Sequence, residues 1–474
     1  NNIKSYRSTR YQLIRGRLVN MYNTKQNVLV IGAALTGIAT AMELSYLGHK
    51  VFLNDYKSRE EIGDSLEGLR GLGVEMIFGS HPIDLAYKCD FIVASPGVPL
   101  DIPLIKEARK LGKEVVSEIE LSYRLTNAPI AAITGTNGKT TTTALLGEIM
   151  KESGRTSYVT GNIGIPMISQ VKKAKEEDIF VLEVSSFQLE SIELFKPKVS
   201  GILNITADHL NRHKTVENYI DAKCRIFKNQ DNNDFTILNR DDAISFGIKN
   251  LPSSKVLMFS IKEILQEGAY IENGILNISL GGNKEEIIHI DDIYIPGNHN
   301  RENALAASLI AYCLNVKPSV IAKVLKDFKG VEHRLEYVCE INGVAYYNDS
   351  KGTNPDSSIK AVNTMERPIV LIAGGIDKGS DYYDFIKTFK GKVKSLVLLG
   401  DTAEKIERQA RELNFINTYK VSDLKEAVYK AKELSKPGDC VLLSPACASW
   451  DMFKSFEERG KLFKNVVRSL RGAD

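Results

Sequence analysis

Cysteine is scarce and unpaired in this chain. The six cysteines (Cys89, Cys224, Cys313, Cys339, Cys440 and Cys447) are scattered over 474 residues with no C-x-x-C spacing. That excludes a zinc ribbon or a disulfide framework and points to a reducing cytoplasm. Long apolar runs are also missing, so no membrane-spanning segment and no secretory core is expected. Charge of one sign is lacking too. Sixty-two Lys/Arg against 59 Asp/Glu leave +3, too little for a whole-chain field that would recruit nucleic acid. Residues 1–20 stand apart, with five Lys/Arg, no acid and no helical or strand period. They read as an extension of uncertain origin. The remainder, 43% apolar and 26% charged over the whole chain, has the composition of a soluble globular protein too long for one core.

Two nucleotide fingerprints are each short of a glycine. After the strand-like run 27–31 (NVLVI) comes GAALTG (32–37), then a helical pattern, a second strand-like run (50–53) and Asp55. The acid stands where a dinucleotide fold wants one, but Ala34 replaces the glycine that lets a pyrophosphate approach. That disfavours NAD and leaves another nucleotide or phosphate at the same sheet edge. SPGVP (95–99) ends a further strand at that edge. The second fingerprint is AAITGTNGKTTTT (131–143). The full P-loop pattern wants glycine where Ile133 stands, yet a buried strand, a glycine turn and Gly-Lys-Thr opening a helix are the context phosphate binding requires.

Strand–helix alternation continues beyond it. Glu183 ends a buried strand (178–184), a usual place for a carboxylate that serves nucleotide-bound Mg²⁺. Thr215–Lys228 is expected to be a helix with an apolar stripe of Val216, Tyr219, Ile220, Cys224 and Phe227. Lys223 falls inside the stripe, so it must be paired, neutral, chemically modified or snorkelled to the rim. A helix is expected from about Arg301, after a polar run that includes Asn298, His299 and Asn300. The strand-like run 343–347 enters NDSKGTNP, 369–373 enters GGIDKG, and 440–443 enters SPA, giving a third α/β unit with one functional sheet edge.

GTNGKTT, GNIG (161–164), EVSSFQLE (183–190), NITADH (204–209), Lys223, GNHNRENALAA (297–307), EHRLE (332–336), NDSKGTNPDS (348–357) and SPACASWDMFKSFEERG (444–460) together resemble the Mur ligase family. GAALTG, SPGVP and the last motif resemble the branch that adds D-glutamate to UDP-N-acetylmuramoyl-L-alanine. The resemblance implies an α/β protein of three domains. A Rossmann-like N-terminal domain (21–118) would bind the UDP-substrate, a central P-loop domain (119–331) ATP, and a Rossmann-like C-terminal domain (332–474) the amino acid. It implies ATP, Mg²⁺ at two sites, an acyl-phosphate intermediate and a monomer. It also implies residue roles. Gly135, Thr136, Asn137, Gly138, Lys139, Thr140, Thr141, Asn303, Arg334 and Asp349 would bind ATP. Thr140, Glu183, His209 and a carbamylated Lys223 would hold metal. Lys139, His209, Lys223 and Lys351 would be catalytic. Leu35, Thr36, Asp55, Gly97 and Asn162 would bind the UDP-substrate, and Thr353, Lys378, Ser449 and Phe456 the amino acid. Tyr56, Lys57 and Trp450 do not map onto the pattern.

Competing readings are a sister ligase for another amino acid, a folylpolyglutamate synthase, a non-catalytic nucleotide sensor and a dehydrogenase. The first domain weighs against the synthase, the set Glu183, His209, Lys223 and Lys351 against the sensor, and Ala34 against the dehydrogenase.

Overall fold

A computed structural model describes residues 24–470 except Ile163, Ala207, residues 377–379 and Trp450. Residues 1–20 and Lys378 therefore lie outside the described residues. The chain forms two compact units, one of residues up to 294 with 299–328, the other of 295–298 with the residues from 329 on. The first unit holds two sheets. In the five-stranded one all neighbours are parallel, in the order Glu75–Phe78, Lys50–Asp55, Asn27–Ile31, Phe91–Ala94, Glu114–Val116. Its strands are apolar on both faces, as a parallel sheet covered by helices must be. Val28, Val30, Val51 and Leu53 pack with Ala41 and Leu44 on one side, and Leu29, Ile31 and Phe52 with Leu104 and Ile105 on the other.

The second sheet has nine strands. Five neighbours at one side run in the order Phe235–Asn239, Val199–Ile202, Ile130–Thr134, Ile179–Glu183, Ser157–Gly161, all parallel, the last at the sheet's edge. Lys255–Ser260 and Gly268–Glu272 extend it in parallel, and an antiparallel hairpin (Ile275–Leu280, Asn283–His289) closes it. Ile130–Thr134 is fully buried between Val199–Ile202 and Ile179–Glu183, so the turn that follows it emerges between the ends of those two strands. The helix Glu118–Leu125 joins the two sheets and serves both, with Leu121 in the first core and Ile119 and Tyr123 in the second.

The second unit is a six-stranded sheet in the order Glu336–Ile341, Val344–Asn348, Cys440–Leu443, Ile369–Ala373, Val393–Leu398, Thr418–Lys420. Only the first pair is antiparallel.

Three boundaries differ from the expectations. The helix expected from Arg301 begins at Asn298, with the polar Asn300 buried at 8% exposure inside its first turn. The strand expected at 343–347 lies one residue on, Val344–Asn348. The lysine-bearing helix spans Val216–Cys224, N-capped by the Thr215 side chain, and tightens into a 3₁₀ turn, Arg225–Phe227.

Candidate active site

The turn after Ile130–Thr134 is stitched to the segment that leaves the neighbouring strand. Asn204 accepts the Asn137 N–H on Oδ1 (2.9 Å), returns Nδ2 to the Asn137 carbonyl (3.1 Å) and accepts the Thr136 N–H on its own carbonyl (2.9 Å). The Thr136 hydroxyl donates to the Thr206 carbonyl and accepts its N–H, both at 3.0 Å. Gly138 then takes φ +83° as it caps the helix Lys139–Glu152. A Cβ there would stand 2.3 Å from Asn303 Oδ1, the atom that also accepts the Thr142 hydroxyl at 3.2 Å. Glycine is thus required by conformation and by space. Thr140 and Thr141, at 7% and 5% exposure, form the buried first turn.

Two lysines converge on this turn. Lys139 Nζ curls back to the carbonyls of Gly135 (2.9 Å) and Thr136 (3.0 Å). Lys223 Nζ also donates to the Gly135 carbonyl, at 2.8 Å, and lies 4.5 Å from the centre of the Tyr219 ring. Lys223 is 1% exposed. Burial, and then the nearby Lys139 charge, push its pKa well below the usual lysine range, against the pull of Asp208 and Glu183. Both effects favour the neutral amine. Tyr219 Oη stands 3.3 Å from Thr136 Oγ1.

Glu183 ends the adjacent strand at 2% exposure. Its Oε1 accepts Asn162 Nδ2 at 2.8 Å, while Oε2 is buried with no hydrogen-bond partner among the described residues. An orphaned buried carboxylate oxygen near a phosphate loop fits a hard cation, and the Thr140 hydroxyl, Glu183 and His209 are a donor set that Mg²⁺ accepts with water. His209 is half-exposed, at φ +53°, with its N–H on Asp208 Oδ1 (2.8 Å) and its ring 5.0 Å from Phe187.

The residues expected to face the UDP-substrate gather at the corresponding edge of the first sheet. Asp55 accepts the N–H groups of Ala33 (2.6 Å) and Lys57 (2.9 Å), fixing the turn after its strand. Leu35, 64% exposed, opens the helix Leu35–Tyr46, with Thr36 behind it. Gly97 is exposed in the 95–99 turn, where Ser95 Oγ donates to the Gly32 carbonyl at 3.2 Å.

In the second unit, Asp349 follows Val344–Asn348 and is 4% exposed. It accepts Ser444 Oγ (2.7 Å) and the Leu335 N–H (3.3 Å). Burial lifts its carboxyl to about 6, although Arg334 and these hydrogen bonds pull it down. Arg334 Nε is buried without a hydrogen-bond partner among the described residues. Lys351 Nζ lies 5.5 Å from the Phe456 ring, and the Thr353 N–H donates to the Lys351 carbonyl (2.9 Å). Ser449 is 2% exposed and its carbonyl accepts the N–H of Phe453 at 2.9 Å. Arg459, not singled out from the sequence, ties these loops. It donates to Ser350 Oγ (3.0 Å), the Ser350 carbonyl (2.8 Å) and the Cys447 carbonyl (3.2 Å). Glu332, His333 and Glu336 cluster like metal ligands, but Lys464 Nζ already bridges the two carboxylates at 2.6 and 2.8 Å.

Comparison with known proteins follows the same three-part division. The Mur ligase MurD-like N-terminal domain matches residues 26–117, the Mur ligase middle domain 133–311, and the Mur ligase glutamate ligase domain 333–447. The chain belongs to the Mur ligase family. A UDP-N-acetylmuramoylalanine–D-glutamate ligase of Thermoanaerobacter sp. (strain X514) is 53% identical over 448 residues, covering 94% of this chain and 99% of the relative. One from Clostridioides difficile (strain 630) is 49% identical with the same coverage. Among solved structures, the UDP-N-acetylmuramate–alanine ligase of Thermotoga maritima superposes with TM-score 0.59 at 20% identity, over 95% of this chain and 100% of that one. That likeness establishes the fold. In this Mur ligase, Gly135–Thr141, Asn162, Glu183, His209, Lys223 and Asn303 share one sheet edge. Asn204 and Tyr219 belong with them but were not picked out, Asn204 because its partners lie 67 residues away and Tyr219 because it was read as core.

Proposed function

We infer that this Mur ligase joins D-glutamate to UDP-N-acetylmuramoyl-L-alanine at the expense of ATP, a step of peptidoglycan precursor synthesis in the cytoplasm. The observation that carries the reading is 53% identity, across nearly the whole of both chains, to a relative of that name. The site geometry supports it. The acceptor carboxylate attacks the γ-phosphorus of ATP and ADP leaves, giving an acyl phosphate. The D-glutamate amine attacks the acyl carbon, loses a proton, and phosphate departs to leave an amide. Phosphorylation is needed because a carboxylate is a poor electrophile.

Lys139 exchanges the Gly135 and Thr136 carbonyls for ATP phosphates, which the N–H groups of Gly138, Lys139 and Thr140 at the helix start also receive. Thr140 and Glu183 would hold one Mg²⁺. Lys223, kept neutral by burial, adds CO₂ and releases a proton to form a carbamate, whose oxygens with His209 would hold a second ion. When bound, Mg²⁺ would supply charge neutralisation on the phosphoryl oxygens. Asn303 buttresses the loop on the ATP side, and Arg334, Asp349 and Lys351 are assigned to ATP. Leu35, Thr36, Asp55, Gly97 and Asn162 bind the UDP-substrate, and Thr353, Lys378, Ser449 and Phe456 the amino acid. The domains 21–118, 119–331 and 332–474 divide the work in that order, in a monomer. The test is isotopic. Acceptor with ¹⁸O in its terminal carboxylate should release phosphate carrying one ¹⁸O; unlabelled phosphate would refute the acyl phosphate.

A further inference from the structure

Between the first sheet and the phosphate loop lies a cluster with no role in the scheme above. Arg212 sits in the single helical turn Leu210–His213, directly after His209. Its Nη2 donates to the Val98 carbonyl at 3.0 Å and to Glu190 Oε2 at 2.6 Å, and its guanidinium lies 5.1 Å from the centre of the Phe187 ring. The side chain is only 18% exposed. Val98 is the neighbour of Gly97 in the 95–99 turn, 114 residues away in sequence. On the other side the turn is tied to His209, whose carbonyl accepts the N–H groups of Arg212 (3.0 Å) and His213 (3.1 Å). Phe187 reaches the same histidine, 5.0 Å from its ring, and stacks on His213 at 5.4 Å. His213 is itself held, with Nε2 2.9 Å from Ser186 Oγ and Nδ1 3.6 Å from Glu190 Oε1.

We propose that Arg212 is a positioning residue for the ligation, fastening the 95–99 turn to the segment that carries His209. The proposal rests on the reading that this turn binds the UDP-substrate and that His209 serves the phosphoryl-transfer site. One nitrogen spans the two because its two N–H groups reach two acceptors, a carbonyl on the first sheet's turn and a carboxylate beside the phosphate-loop sheet. A planar guanidinium does this while its face packs on Phe187; an ammonium has neither the fork nor the stacking face. With the contacts in place, the acceptor carboxylate arrives at a set distance from the phosphate loop. Reacting atoms held near van der Waals contact lose much rate when displaced by about 1 Å. Substitution would leave Glu190 facing only His213, and the Val98 carbonyl without this donor.

The test measures binding before turnover. UDP-N-acetylmuramoyl-L-alanine is titrated calorimetrically into metal-free, nucleotide-free enzyme, unsubstituted, Arg212→Ala and Arg212→Lys, and steady-state KM values for acceptor and ATP follow. Arg212→Ala should weaken acceptor binding and raise the acceptor KM by about tenfold or more, with the ATP KM within about twofold. Arg212→Lys, which keeps a charge for Glu190, should fall between. Acceptor binding by Arg212→Ala within about twofold of the unsubstituted enzyme would overturn the proposal, as would equal losses for acceptor and ATP, the mark of general loosening. If Arg212→Ala does not fold, Arg212→Lys decides, and behaviour identical to the unsubstituted enzyme overturns it. Absence of acceptor binding by the unsubstituted enzyme would strike the ligase reading itself and this proposal with it.

Discussion

Glu118 offers a stability experiment whose size and sign follow from the structure. It is the first residue of the helix Glu118–Leu125 that joins the two sheets of the first unit, and it is 1% exposed. Oε1 accepts the Ile168 N–H at 2.6 Å and the Ser122 hydroxyl at 3.0 Å, while Oε2 is buried without a hydrogen-bond partner among the described residues. Burial lifts its carboxyl from 4.5 to about 6, against the pull of both hydrogen bonds. As pH rises, the unfolded chain therefore releases this proton first, and stability falls through that window. The cost is about 0.8 kcal/mol at pH 5 and levels at about 2 kcal/mol above pH 7. Glu118→Gln keeps an acceptor for Ile168 and Ser122 but cannot ionise. Its amide NH₂ in place of the unpartnered oxygen costs about 1–3 kcal/mol at every pH. The variant should therefore gain about 1.2 kcal/mol on the unsubstituted protein between pH 5 and pH 8, whatever the constant offset. Urea unfolding of both proteins at the two pH values measures this. A difference between them that does not change with pH would refute the reasoning.

Three further outcomes are expected. Lys223→Ala should be nearly inactive and partly rescued by acetate under CO₂-free conditions, and the unsubstituted enzyme under ¹³CO₂ should show a carbamate carbon resonance that the variant lacks; full activity of Lys223→Ala would count against the carbamate. Gly138→Ala, forced to φ +83° with its methyl 2.3 Å from Asn303 Oδ1, should lose about 1–3 kcal/mol of stability, read as a lowered Tm, and raise the ATP KM more than the acceptor KM. Because Asp349 titrates at about 6, kcat/KM for ATP should decline as pH falls through 6, and a profile flat from pH 5 to 8 would show that its ionised form is not needed.

The parts of the molecule legible in the sequence are those with local signatures. A buried strand, a glycine turn and Gly-Lys-Thr opening a helix mark the phosphate loop even with Ile133 in the place of its first glycine, since strand order and helix dipole do not depend on that residue. Lys223 is legible as an ammonium placed among apolar side chains by helical spacing; the spacing leaves snorkelling open, and the fold decides for burial at 1% exposure. Asn204, Arg212 and Arg459 are not legible, because each acts on a carbonyl or amide brought near only by the folded sheets; Arg212 and Val98 are 114 residues apart. The polar run Asn298–Asn300 hides the helix start for a related reason: asparagine at a helix beginning reads as a cap, whereas here Asn300 is buried inside the helix. The register at the end of Val344–Asn348 delivers Asp349 to Ser444.

The measurement closest to the central claim is phosphate release by the purified enzyme with ATP, Mg²⁺, UDP-N-acetylmuramoyl-L-alanine and a panel of D-glutamate, L-glutamate, L-alanine, L-lysine and meso-diaminopimelate. The same panel run with Lys378→Ala should show the D-glutamate KM raised far more than the ATP KM, because a desolvated γ-carboxylate needs a cationic partner. Release that is fastest with D-glutamate and depends on the acceptor is the result expected. A higher rate with any other amino acid, or equal release without the acceptor, would contradict it.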